Sequence, residues 1–212
     1  MTLAINRAYL INTLTELVSI NSINPSLVED GPGEAEVGRY VAGALRALGL
    51  QVTIHESQPQ RPSIVGILKG NGGGRSLMLN GHMDTVGVEG MPNPFTATTR
   101  DGKLSGRGTY DMKGSIAACI TAAEALVTSG KTLNGDLLIA AVADEEYASL
   151  GTAEVIKHHK TDGAVVTEPT DMRICLAHKG FVWLEVETIG RAAHGSRFDD
   201  GIDANMHMGR FL

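Results

Sequence analysis

Four groups of imidazole and carboxylate side chains follow one another along the 212 residues: His82 with Asp84, Asp111, the pair Glu145-Glu146, and Glu168. Such side chains hold a divalent cation through nitrogen and oxygen and leave a coordination position open for water. A cation held this way lowers the pKa of that water and polarises a carbonyl, so the chemistry within reach is metal-assisted hydrolysis. Each group alone has an ordinary reading. His82-Met83-Asp84 is a surface turn, Glu145-Glu146 a solvated acidic turn, Glu168-Pro169 a helix start, and Asp111 the N-cap of a helix opening at Met112. Together they are harder to dismiss, because carboxylates gathered in one place repel by several kcal/mol unless a cation sits among them.

Whether they gather depends on the elements that carry them. Short apolar runs bounded by turn residues cover 52–55, 63–68, 76–80, 136–142 and 163–167, and several lack alternation, as strands buried on both faces do. Apolar residues at helical spacing mark helices over 3–18, 34–48, 113–129 and 150–159, with a loop over 19–33. Strands alternating with helices predict an α/β sandwich whose sheet is at least partly parallel. His82 and Asp84 follow the run at 76–80, Glu145-Glu146 the run at 136–142, and Glu168 the run at 163–167. All three sets therefore sit at carboxyl ends of predicted strands, where open α/β sheets form their ligand crevice.

Composition narrows the field further. Eighteen Lys and Arg against 24 Asp and Glu give a net charge of -6, and no basic run or aromatic-interleaved stripe offsets it, which argues against a nucleic-acid partner. No stretch approaches the length of a membrane span, and the first 18 residues contain no unbroken apolar region of a secretory leader. The two cysteines, Cys119 and Cys175, lie in apolar stretches outside any metal or redox spacing and read as reduced core thiols of a cytoplasmic protein. Gly70-Asn71-Gly72-Gly73-Gly74 lacks the Lys-Ser/Thr of a phosphate loop and reads as a hairpin turn between the runs at 63–68 and 76–80. His158 and His159 close a helix and favour its dipole.

The segments Gly-His-Met-Asp-Thr-Val (81–86), Gly-Arg-Gly-Thr-Tyr-Asp-Met-Lys-Gly (106–114), Asp144-Glu145-Glu146, Thr167-Glu168-Pro169-Thr170 and Ala193-His194-Gly195-Ser196 together resemble the zinc metallopeptidase family of acetylornithine deacetylase, succinyl-diaminopimelate desuccinylase, aminoacylase and carboxypeptidase G. The resemblance implies a three-layer α/β/α catalytic domain (1–177) and, from 178 to 212, the start of an α+β lid domain through which a homodimer forms. It implies two zinc ions, with Co2+ or Mn2+ also compatible with such ligands. His82 and Glu168 would hold one ion, Glu146 the other, and Asp111 would bridge them, followed by a cis peptide to Met112. Glu145 would be the general base, and Asp84 would orient His82 from behind, fixing its tautomer. The reaction implied is hydrolysis of an N-acyl amino acid or of a C-terminal peptide bond. Ala177-His178-Lys179-Gly180 places the chain nearest the deacetylase and desuccinylase subgroup.

Other residues keep two readings. His194 is either a turn residue or, as in the family, a lid histidine that steadies the oxyanion of the transition state, a contribution of typically about 3 kcal/mol. Lys179 and Arg197 are either solvated or bind a substrate carboxylate. Val182, Leu184 and Val186 alternate with Trp183, Glu185 and Glu187 as in a half-buried strand, and 203–212 reads as a lid helix. The family's last zinc ligand, a late histidine, has no counterpart here, since His207 falls within that helix; the chain reads as a piece of a longer enzyme. Competing expectations are a co-catalytic zinc aminopeptidase, which would lack the His194 lid, and an inactive metal-binding fragment.

Overall fold

The computed structural model describes residues 3–180, 182 and 184–212. Its contacts divide the chain into two compact units, Met1–Met172 and Arg173–Leu212, the division falling a little ahead of the boundary expected at 178.

The first unit is a three-layer sandwich. Helices α1 (Arg7–Ser19), α2 (Ala35–Ala47) and α3 (Lys113–Thr128) and strands β1 (Gln51–Glu56), β2 (Pro62–Leu68), β3 (Leu77–His82), β6 (Leu137–Val142) and β7 (Gly163–Val166) form its frame. A small hairpin, β4 (Thr98–Arg100) with β5 (Lys103–Ser105), and helix α4 (Leu150–His158) complete it. The sheet order is β1-β2-β6-β3-β7. β3 runs parallel to both β6 and β7, while β1 and β2 extend the sheet antiparallel.

Side-chain alternation along the central strands divides the core. Ile64, Ile139 and Ala141 face one way, against Leu17 of α1, Val37, Val41 and Leu45 of α2, and Ile116, Ile120 and Ala123 of α3. Val65, Leu138, Ala140 and Val142 face the other way, against Val155 of α4. β6 is buried throughout because helices cover both its faces, which is why its sequence shows no polar alternation. In α2 the core positions recur at i, i+4 and i+8, with Glu36 in the first turn and Arg46 in the last to suit the helix dipole.

One expectation is corrected, and two others gain detail. β2 and β3 are not a hairpin, because β6 lies between them. The glycine run instead packs on the turn before β6, where Asn71 and Gly74 amides donate to the carbonyls of Leu133 (2.9 Å) and Asn134 (3.2 Å). β7 is exposed along its length, with Val166 59% accessible, because it is an edge strand outside both core clusters. His159 Nε2 lies 2.8 Å from His55 Nε2 and so ties the end of α4 to β1, a contact more specific than a dipole effect. The hairpin β4/β5 was not anticipated, although its Asp101-Gly102 turn, with φ of 51° and 75°, carries the left-handed pair that two-residue hairpin loops demand.

The second unit contains a 3-10 helix (Gly195–Asp200), α5 (Ala204–Phe211) and an isolated bridge between Arg191 and Ile202. α5 is capped by the Asp203 carboxylate, which accepts from the amides of Asn205 and Met206. The strand expected around 182–187 partly lies outside the described residues, at Phe181 and Trp183. Its described positions form no strand: a strand needs a neighbour for its backbone groups, and Val182 and Leu184 are each 80% exposed. Cys119 is buried but Cys175 is exposed, so only the first is a core thiol. Among the described residues no helix is long and apolar enough to cross a membrane.

Candidate metal centre

β3, β6 and β7 lie side by side, and the parallel pairing of β3 with β6 and β7 brings their carboxyl ends to one edge of the sheet. His82 is the last residue of β3, the Glu145-Glu146 turn follows β6, and Glu168 follows β7. Asp111 arrives from the loop before α3. Within that loop Gly108 adopts φ +81°, and a Cβ there would lie 3.0 Å from Lys113 Cδ; a Cβ on Gly114 would stand 2.3 Å from the carbonyl oxygen of Thr109. The motif's glycines are thus required by close packing. The Asp111-Met112 peptide is cis. The N-cap position of α3 is Met112, without a side-chain cap, and the Asp111 carboxylate turns instead to His82.

His82 Nε2 lies 2.9 Å from Asp111 Oδ1, 3.7 Å from Glu168 Oε1 and 3.8 Å from Glu145 Oε2. His82, Asp111 and Glu146 form one set whose ligand atoms all lie within 4.8 Å of one another; His82, Glu145 and Glu168 form a second. The imidazole is 1% exposed, whereas Asp111, Glu145 and Glu168 are between a third and a half exposed at their side chains. The donors therefore form a floor that is dry on the histidine side and open on the other.

On the buried side, His82 Nδ1 donates to the backbone carbonyl of Asp84 at 2.9 Å. That bond puts the proton of the neutral ring on Nδ1 and turns the Nε2 lone pair toward the carboxylates, the tautomer a metal ligand needs. The Asp84 carboxylate stands 3.5 Å from Nδ1 and has further partners. It accepts from the amides of Glu145 (3.0 Å) and Glu146 (3.1 Å) and from Asn24 Nδ2 (2.7 Å). Asp84 thus orients His82 largely through its main chain, and holds the glutamate turn with its side chain.

The charges are mutually frustrated without a cation. Burial would lower the His82 pKa, but hydrogen bonds and charge from Asp111 and Asp84, with Glu168, outweigh it and lift the imidazole to about 11. Glu146 rises to about 7 through burial and the neighbouring Asp111, Asp84 and Glu145, with His82 opposing. Glu168 is raised for the same reasons. Asp84 is held below the usual carboxylate range although burial opposes it, because His82, Asn24 and the Glu145 amide stabilise its charge. One imidazole beside several carboxylates is a donor set suited to divalent cations.

Several buried polar residues that support this floor were not anticipated. Asn24 also donates to Asp144 Oδ1 at 3.1 Å. Arg61 Nη2 donates to Glu34 Oε1 and to Asp144 Oδ1, both at 2.8 Å. Lys113 is fully buried, its Nζ donating to the carbonyls of Leu17 (2.9 Å) and Ile20 (2.7 Å) at the end of α1, and burial lowers its pKa to about 7. It pins the start of α3 next to Asp111. His194, Lys179 and Arg197 belong to the second unit. His194 Nδ1 lies 2.9 Å from Ser196 Oγ and caps the 3-10 helix, Arg197 Nε pairs with Asp200 at 2.7 Å, and Lys179 is exposed.

Residues 78–200 match the family model described as peptidase family M20/M25/M40, and the chain belongs to that family. It is 33% identical over 176 residues to an N-formyl-4-amino-5-aminomethyl-2-methylpyrimidine deformylase of Bacillus subtilis, covering 79% of this chain and 40% of that one. It is 34% identical over 191 residues to an acetylornithine deacetylase of Pasteurella multocida, covering 88% and 49%. Among solved structures, human carnosine dipeptidase 1 superposes with a TM-score of 0.67 at 25% identity over 76% of this chain and 38% of that one. A tripeptidase from Staphylococcus aureus shares the fold with a TM-score of 0.68 at 19% identity, over 97% and 56%. The chain spans about half the length of the curated relatives it matches.

Proposed function

We propose that the protein to which this chain belongs is a metal-dependent amide hydrolase that removes an acyl group from an N-acyl amino acid, or cleaves a C-terminal peptide bond, releasing an amine and a carboxylate. The observation that carries this reading is the floor of carboxylates around His82 Nε2. Relatives named for deacetylation and deformylation favour an acyl group on nitrogen as the substrate feature. His82, Asp111, Glu146 and Glu168 would hold the metal, Zn2+ in the first instance, with Co2+ or Mn2+ suited to the same donors. When bound, such ions polarise the scissile carbonyl and ease deprotonation of water.

The remaining chemistry belongs to this chain's side chains. Glu145, 41% exposed on the open side of the floor, takes the proton of the attacking water and returns it to the departing amine. Asp84 keeps Glu145 in place through its amide. His194, Lys179 and Arg197 are assigned to the 178–212 part, as oxyanion donor and substrate-carboxylate contacts within a lid that also pairs subunits into a homodimer. Two unpaired cysteines accord with a cytoplasmic site of action. In the full-length protein, Glu145→Ala is expected to cut turnover by about 10²-fold or more while bound metal stays near wild type. Loss of metal together with turnover would show that Glu145 is a ligand and not the base.

A further inference from the structure

The Glu145-Glu146 turn is held by a chain of buried polar side chains that runs behind the metal floor. Glu34, Asn24, Asp84 and Asp144 are 0% exposed and Arg61 6%. Asp144, which directly precedes the glutamates, adopts φ +63°. Its amide donates to Glu34 Oε1 at 3.1 Å, and its carboxylate accepts from Arg61. The next two amides donate to Asp84. The turn is therefore fixed on one side by Asp144 and on the other by Asp84, and a single side chain joins the two: Asn24 gives Nδ2 hydrogen bonds to both carboxylates.

We propose that Asn24 is the positioning residue of the Glu145-Glu146 turn, bridging Asp84 to Asp144 while Glu34 and Arg61 anchor the far end. The chemistry explains the residue type. Two carboxylates can only accept, so their bridge must bring two donors, and a primary amide does so without adding charge. The amide's orientation is also fixed: Asn24 Oδ1 accepts from the Ser26 amide at 2.9 Å, which leaves Nδ2 directed at the carboxylates. Remove the donors and two buried carboxylates face each other without their shared partner, at the point where the backbone turns to present both glutamates. A shift of about 1 Å there is enough to spoil metal geometry or the base's reach.

The functional consequence rests on the hydrolase reading above, but the positional claim is testable without metal. Asn24→Leu, of similar volume, removes both donors without adding charge, and Asn24→Asp, which keeps the acceptor for Ser26, sets a third carboxylate against the other two, so both variants are read at the same amides. Amide hydrogen exchange on the metal-free chain is expected to speed up about tenfold or more at Glu145 and Glu146, with Leu138 and Ile139 of β6 unchanged. Zinc affinity is expected to fall about 10–100-fold, the usual effect of losing a partner behind a ligand. Unchanged exchange at Glu145 and Glu146 would overturn the proposal. So would equal acceleration at Leu138 and Ile139, which would make Asn24 a matter of global stability. Should neither variant fold, Asn24→Ser retains one donor and is expected to give a smaller acceleration at the same two amides, judged by the same criteria. A wild-type chain that takes up no zinc would count against the metal reading alone, because the exchange comparison needs none.

Discussion

The two units of this chain treat their apolar and polar residues in opposite ways. In Met1–Met172 helices cover both faces of the central strand β6, and even charged groups such as Glu34, Arg61 and Lys113 are buried with partners. In Arg173–Leu212 large apolar side chains stand in solvent, Leu176 at 95% and Phe198 at 76%, and the polar contacts of the candidate residues are local and exposed, His194 with Ser196 and Arg197 with Asp200. Position at a site comes from burial of its supports. The His82 floor has such supports, whereas the candidate residues of the second unit rest on contacts that solvent can replace.

Substitutions sharpen this contrast. The largest effect is expected from Arg61→Met, which leaves Glu34 and Asp144 buried without their cation; breaking such a network costs about 3–5 kcal/mol, read by urea unfolding, and a cost near zero would mean that the network is not a support. Next, Leu45→Ala should cost about 2–5 kcal/mol as a cavity in a closed layer. The paired change Phe198→Ala should cost less than about 0.5 kcal/mol, and equal costs would erase the distinction between the units.

A third test uses pH. His82 and Glu146 bind protons more tightly folded than unfolded, so the stability they lend is present at low pH and is lost as pH rises, through about 4.5 to about 7 for Glu146 and about 6.5 to about 11 for His82. The melting temperature of the metal-free protein should therefore fall between about pH 5 and about pH 7, while above about pH 7 the buried Lys113, its pKa lowered to about 7, works in the opposite sense and offsets the His82 trend. Zinc needs deprotonated ligands, so the increment it adds should grow over the same range. Scanning fluorimetry with and without chelator checks both slopes, and a metal-free melting point that climbs between about pH 5 and about pH 7 would contradict the picture of the floor. The smallest effect belongs to the second unit: His194→Ala and Arg197→Ala should each change stability by less than about 0.5 kcal/mol and leave the zinc affinity of this chain unaltered in calorimetric titration.

Much of the frame was legible because periodicity reports burial. The unbroken apolar run of β6 announced a strand covered on both faces, and the ligand groups could be placed at strand ends from the order of elements alone. What could not be read was pairing across distance. Nothing near Gly70-Gly74 says that a strand from 137–142 will slide between its neighbours, and the sequence of 163–166 resembles a buried strand although it lies at an edge. Asn24, Glu34 and Arg61 were overlooked because each sits in a segment rich in turn residues or at a helix start, where polar residues are ordinary, and only the fold brings them onto Asp84 and Asp144. A faint signal existed for Lys113: a lysine flanked by Met112 and Gly114 at the head of an otherwise apolar helix has little solvent to reach.

The central claim is that His82, Asp111, Glu146 and Glu168 meet around divalent metal. Equilibrium dialysis of the purified chain against zinc, followed by elemental analysis beside His82→Ala and Asp111→Asn, tests it most directly. Zinc retained by the wild type and lost from both variants, with circular dichroism unchanged, is the expected result. Equal zinc in all three, or none in the wild type, would contradict it.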